Sequence, residues 1–124
     1  MSSDLHILVA EDDSDVRALV AAALAFAGHD VRSVADGDAL ATELARTRPV
    51  LVISDIRMPG RSALCTLCDA SRQNDPPLVI VITAFDDEYV YSEAARLGVA
   101  GLLHKPFDPA ALCSMVAALL RRSA

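Results

Sequence analysis

The residue types able to do chemistry in this 124-residue chain follow its most apolar stretches. Glu11-Asp12-Asp13 closes HILVA (His6–Ala10), and Asp55 closes VLVIS (Val50–Ser54). Thr83, with the small Ala84 behind it, follows LVIVI (Leu78–Ile82). Lys105, the only lysine in the sequence, follows GLLH (Gly101–His104). One polar residue after an apolar run is ordinary. Acids, a hydroxyl and the sole lysine after four such runs suggest a shared site. Clustered carboxylates repel one another unless a hard cation neutralises them, and Mg²⁺ prefers oxygen donors while keeping several waters. A carboxylate can also act as a nucleophile toward phosphorus. Phosphoryl transfer asks a protein mainly to position groups and balance charge on the phosphoryl oxygens, which a metal, an ammonium and a hydroxyl can share. The chemistry suggested is metal-assisted phosphoryl transfer.

The elements that must position these residues alternate along the whole chain. HILVA reads as a first strand. Val16, Leu19, Val20, Ala23, Leu24 and Ala27 recur at helical spacing, with Ser14 as N-cap and Gly28 at the close. DVRSV (Asp30–Val34) reads as a second strand whose weak alternation suits a sheet edge, and Leu40 and Leu44 mark a second helix stopped by Pro49. VLVIS is strand three. Leu64, Leu67 and Cys68 mark a third helix that ends before Pro76-Pro77. LVIVI is strand four, and Asp86 or Asp87 caps a helix carrying Val90, Ala94 and Leu97 up to Gly98. GLLH is strand five; Asp108 and Pro109 open a last helix lined by Leu112, Val116, Leu119 and Leu120. Five strands alternating with five helices predict an α/β fold, a doubly wound parallel sheet with strands three and four central. In such sheets sites form beyond the carboxyl ends of the strands, near the switch in strand order.

Composition agrees. With 53% hydrophobic and only 4% aromatic residues, the core must be built from Val, Leu, Ile and Ala, as buried parallel strands require. A net charge of −6 without a clustered basic face argues against direct nucleic-acid binding. No signal pattern precedes the first strand, the longest apolar run is too short to span a bilayer, and three cysteines suggest no disulfide framework. The chain is read as a soluble, cytoplasmic, single domain over residues 1–124 with no output domain and no membrane association. Cys65 and Cys68 form C-T-L-C inside a helical pattern without a second pair, so they are read as small buried hydrophobes rather than a zinc or redox motif. His6, His29 and His104 lack metal-ligand spacing.

ILVAEDD, LVISDIRMPG, VIVITA and HKPF occur in this order along nearly the whole chain. Together they resemble the receiver domain of two-component response regulators. The resemblance implies a flavodoxin-like (βα)5 fold with strand order 2-1-3-4-5, an order inherited from chemotaxis receivers of that family. It implies Asp55 as phosphoacceptor, taking a phosphoryl group from a sensor histidine kinase or a histidine phosphotransfer protein. It implies a Mg²⁺ site, open to Mn²⁺ as substitute, made by Glu11, Asp12, Asp55 and the backbone carbonyl of Arg57, with Asp12 the more direct ligand of the acidic pair. Thr83 and Lys105 would each take a phosphoryl oxygen, Ala84 would leave room for the group, and Lys105-Pro106 would be a cis peptide. Such a domain is a signalling module that catalyses only its own phosphorylation and slow dephosphorylation. Its downstream protein or output domain would dock on the face of helix four, strand five and helix five, with dimerisation on phosphorylation a further family behaviour.

This sequence departs from the pattern at Leu102, a switch position where many receivers carry Tyr or Phe. Leucine offers no ring or hydroxyl there. Output then rests on a shift of helix four and strand five, with Tyr91 contributing at the surface, or the domain passes its phosphoryl group onward. Bulky Phe85 is expected to slow hydrolysis of the acyl phosphate. Three alternatives stay open: a pseudo-receiver that binds partners without taking phosphate, an aspartate-nucleophile phosphohydrolase, and a small flavodoxin-like redox protein. The hydrolase would need an acid where Arg57 stands and a substrate cap. The redox protein would need a hydroxyl- and glycine-rich loop after strand one. Glu11 and Asp12 would also favour the following helix N-terminus through its dipole.

Overall fold

A computed structural model describes residues 6–84 and 87–123. It places β1 at His6–Ala10, α1 at Ser14–Phe26, β2 at Asp30–Val34, α2 at Gly37–Arg46, β3 at Leu51–Asp55, α3 at Ala63–Ser71, β4 at Leu78–Ala84, α4 at Glu88–Leu97, β5 at Gly101–Lys105 and α5 at Pro109–Ser123. The five strands form one parallel sheet in the order β2-β1-β3-β4-β5, the flavodoxin-like order the resemblance implied. β2 lies at an edge, as its weak alternation predicted.

Alternation along the central strands divides the core in two. Ile7, Val9, Leu51, Ile53, Ile80 and Ile82 pack with Val20 and Leu24 of α1 and with Leu112 and Val116 of α5. On the other face Leu8, Ala10, Val52, Val79 and Val81 pack with Leu40 of α2, Ala63 and Leu67 of α3 and Val90 of α4. The central strands β1, β3 and β4 are thus largely apolar on both faces, and Glu11, Asp55 and Thr83 come at or just after their carboxyl ends.

The ends of the elements differ from the sequence reading in informative ways. Asp13, not Ser14, is the N-cap of α1; its carboxylate accepts from the N–H groups of Asp15 and Val16, and Ser14 opens the helix. Leu19 is exposed, so the buried stripe of α1 narrows to Val20 and Leu24. Asp87 caps α4, while Asp86 lies outside the described residues, as does Phe85 with the expectation placed on it. Asp108 Oδ1 accepts from Ala110 N–H ahead of α5, as expected. Asp55, Thr83 with Ala84, and Lys105 are the last residues of their strands rather than the first of their loops, so ladder pairing sets their position.

Candidate functional site

β3 delivers Asp55, almost fully buried, to the carboxyl edge of the sheet beside Ile82 of β4. Glu11 follows Ala10, which pairs with Ser54, so the two acids stand side by side on neighbouring strands. Its N–H continues the ladder by donating to the Val34 carbonyl. Lys105 pairs with Ala84 at the end of β5 and reaches back over the sheet edge. Its Nζ lies 2.6 Å from Asp55 Oδ2, 3.0 Å from Glu11 Oε2 and 2.9 Å from Glu11 Oε1. Lys105-Pro106 is a cis peptide.

The carboxylates divide their remaining bonds. Asp55 Oδ1 accepts from Arg57 N–H at 2.9 Å, and Glu11 Oε2 accepts from Asp13 N–H at 3.0 Å. Burial pushes the Glu11 carboxyl above its ordinary range, outweighing the Asp13 N–H and Lys105, which act to lower it. Burial works to lower Lys105, but its hydrogen bonds to Asp55 and Glu11 win and hold the ammonium above its ordinary value. A low-dielectric site that keeps one charged lysine against two acids is poised to bind further charge.

Carboxylate oxygens of Glu11, Asp12 and Asp55 can all lie within 4.8 Å of one another. The set is entirely oxygen, which suits a hard divalent cation. Glu11 Oε1 is buried and meets the Lys105 ammonium 2.9 Å away as an ion pair without an aligned hydrogen bond, so it keeps lone-pair capacity for a cation. Asp12 is exposed and open to a partly hydrated ion. The residues fit a small cation such as Mg²⁺.

Thr83 is fully buried one register step beyond Asp55, and its hydroxyl donates to the Ala84 carbonyl at 3.3 Å rather than to the acceptor. Ala84 is exposed at the site's rim. The Arg57 side chain turns away from the acids and pairs with Asp87, its Nε 3.0 Å from Oδ2 and its Nη2 3.1 Å from Oδ1. Leu102 is half-buried in the apolar layer beneath α4, where it fills space beside Val81. Cys65 corrects the reading of C-T-L-C as buried, for it is exposed while Cys68 is half-buried.

Several supporting residues have no local signal in the sequence. Arg17 Nη1 donates to the Glu11 carbonyl at 2.9 Å, fixing the turn after β1. Gly37 is buried against the loop after β3: its N–H donates to the Pro59 carbonyl, and a Cβ there would overlap the Arg61 carbonyl. Asp38 Oδ1 accepts from Arg61 N–H, so the first turn of α2 braces the loop that carries Arg57. Tyr91 of α4 and His104 of β5 share a hydrogen bond, Oη to Nε2 at 2.7 Å. A pairing of chain positions 13 apart through a helix turn is invisible to local periodicity.

A doubly wound sheet with an acidic triad and one lysine at its carboxyl edge defines a class of domain, and the family model agrees. Residues 7–117 match the response regulator receiver domain, and this chain belongs to that family. Over 124 residues it is 35% identical to the transcriptional regulatory protein FixJ of Azorhizobium caulinodans, covering 100% of this chain and 59% of that one. Among solved structures, the N-terminal domain of an uncharacterized protein from Wolinella succinogenes is 31% identical with a TM-score of 0.85, covering 96% of each chain. A CheY-like response regulator receiver domain protein from Methanospirillum hungatei is 20% identical with a TM-score of 0.88, covering 97% of this chain and 96% of that one, a likeness of fold. The chain spans about half to three fifths of the length of the curated relatives it matches. Among the described residues no helix is long and apolar enough to cross a membrane.

Proposed function

We propose that this domain takes a phosphoryl group onto Asp55 from a phosphohistidine donor, a sensor histidine kinase or a histidine phosphotransfer protein, and so switches a partner interaction. The observation that carries the proposal is Lys105 Nζ held 2.6 Å from the Asp55 carboxylate, which is itself buried at the sheet's carboxyl edge. An Asp55 oxygen attacks phosphorus, the P–N bond to the donor imidazole breaks, and the imidazole nitrogen leaves with the bonding pair. Lys105 orients the carboxylate beforehand and takes a phosphoryl oxygen as negative charge moves outward. The Thr83 hydroxyl, turned from the Ala84 carbonyl, takes a second oxygen, and small Ala84 leaves the approach open. Mg²⁺ or Mn²⁺ held by Glu11, Asp12, Asp55 and the Arg57 carbonyl would screen the carboxylates so that an anionic donor can approach.

The phosphohydrolase alternative loses ground because the residue two after the acceptor is a basic one, already paired with Asp87. Downstream, the face of α4, β5 and α5 is proposed as the surface read by a partner protein or an output domain. The curated relatives, longer proteins named as transcriptional regulators, favour an output domain. Incubation with acetyl phosphate and Mg²⁺ followed by intact mass tests the reading. One phosphoryl adduct on the wild type and none on Asp55→Asn is expected; a wild type that takes none would sink it.

A further inference from the structure

Arg57 touches the acceptor at one end and the start of α4 at the other. Its backbone N–H donates to Asp55 Oδ1, while its guanidinium grips Asp87 through two parallel bonds. Asp87 Oδ1 also accepts from Val90 N–H at 3.2 Å, so one carboxylate both caps α4 and holds the arginine. The guanidinium lies over the Tyr89 ring, 5.9 Å from its centroid. The Arg57 side chain is 62% exposed against 14% for Asp87, so the guanidinium is the solvated half of the pair and the half free to leave.

On the phosphoacceptor reading above, the charge at the site changes in a way Arg57 can answer. Glu11, Asp12 and Asp55 set three carboxylates against one ammonium, an excess that a divalent cation balances. Turning the Asp55 carboxylate into a phosphoryl group of about −2 charge leaves one negative charge over, the amount one guanidinium supplies. Arginine also matches phosphate geometry with paired bonds, and Asp87 is a divided partner because it already serves Val90. Leu102 carries no group that can sense this charge.

We propose that Arg57 transmits phosphorylation to α4: its guanidinium leaves Asp87 for the phosphoryl group on Asp55, and the first turn of α4 loses its anchor to the β3–α3 loop. The Tyr91–His104 bond keeps the end of that turn on β5, so the change is concentrated in the residues before Tyr91. Arg57 is here a positioning residue whose side chain is shared between two anionic partners in turn.

The test is ¹⁵N NMR of the Arg57 Nε–Hε group and the Val90 amide, before and after acetyl phosphate with Mg²⁺, with adduct formation followed by mass. In the wild type both resonances are expected to move together as the adduct forms. Asp87→Asn keeps a good capping side chain but no charge. In that variant the Val90 amide is expected to start near the phosphorylated wild-type position and move little further, while the adduct still forms. Arg57→Gln, which leaves Asp87 in place as cap, is expected to make Val90 insensitive to phosphorylation whether or not Asp87→Asn folds. An adduct on the wild type with the Arg57 Nε–Hε resonance unmoved overturns the exchange alone. So does an undiminished Val90 response in either variant. No adduct on the wild type overturns the phosphoacceptor reading, and the exchange with it.

Discussion

Lys105 Nζ binds Asp55 Oδ2 at 2.6 Å while lying within 3.0 Å of both oxygens of Glu11, a residue with no solvent-exposed surface. A single ammonium thus bridges two strands that are not neighbours of its own: β5 is separated from β3 by β4 and from β1 by both. The bridge spans the switch in strand order, where the sheet edge opens a crevice. It explains how two acids can be packed side by side in the folded chain.

The cost falls on Glu11. A carboxyl held above its ordinary 4.5 favours the fold most when protonated, so its contribution is complete below 4.5 and is lost as pH rises through the folded value. Lys105, held above 10.5, contributes fully below that value and loses its share as pH rises through the higher folded one. Glu11→Gln should therefore be more stable than wild type at neutral pH in metal-free buffer, because glutamine has no charge to bury. The gap should close below pH 4.5. Urea unfolding across the pH range checks both parts.

Asp12 is exposed and, among the described residues, its carboxylate has no hydrogen bond or ion pair, so Asp12→Asn should change stability by less than about 0.5 kcal/mol. Its affinity for Mg²⁺ should nevertheless fall by about tenfold or more. Mn²⁺ gives a second reading: paramagnetic broadening should centre on the amides of Asp12 and Asp55 in the wild type and weaken in the variant.

Gly37 has no room for a side chain, because a Cβ would enter the Arg61 carbonyl. Gly37→Ala should push the β3–α3 loop off α2 and cost about 1–3 kcal/mol. Because that loop carries Arg57, phosphorylation by acetyl phosphate should slow as well. A variant with unaltered melting and unaltered rate would show that the loop is not braced there.

Tyr91→Phe removes the hydroxyl that binds His104 while keeping the ring, whose centroid lies 5.2 Å from the imidazole. The expected cost is about 1 kcal/mol. A double-mutant cycle with His104→Leu should return a coupling energy of similar size, whereas additive losses would mean that the bond adds nothing in solution.

The strands were legible because residues such as Ile53 and Ile80 are buried on a sheet covered on both faces, and that condition leaves unbroken apolar runs. Asp55 and Lys105 were legible because such runs end abruptly at the sheet's carboxyl edge, so strand and site were read from one signal. What escaped depends on contacts between distant elements. Ser14 and Asp13 are both good caps, and only the path of the chain after β1 selects Asp13. C-T-L-C sits on an apolar helix, yet Ala63, Thr66, Leu67 and Ala70 take the buried stripe and leave Cys65 outside. The Arg57–Asp87 pair joins positions 30 apart, and nothing in either neighbourhood announces the other.

On the proposed function, Asp55 itself forms the acyl phosphate. Borohydride reduces an aspartyl phosphate to homoserine, so peptide mass after acetyl phosphate, Mg²⁺ and borohydride reports the modified residue. Homoserine is expected at position 55, absent without Mg²⁺ and absent in Asp55→Asn. Homoserine at Asp12 or Asp13 instead, or at no residue, would contradict it.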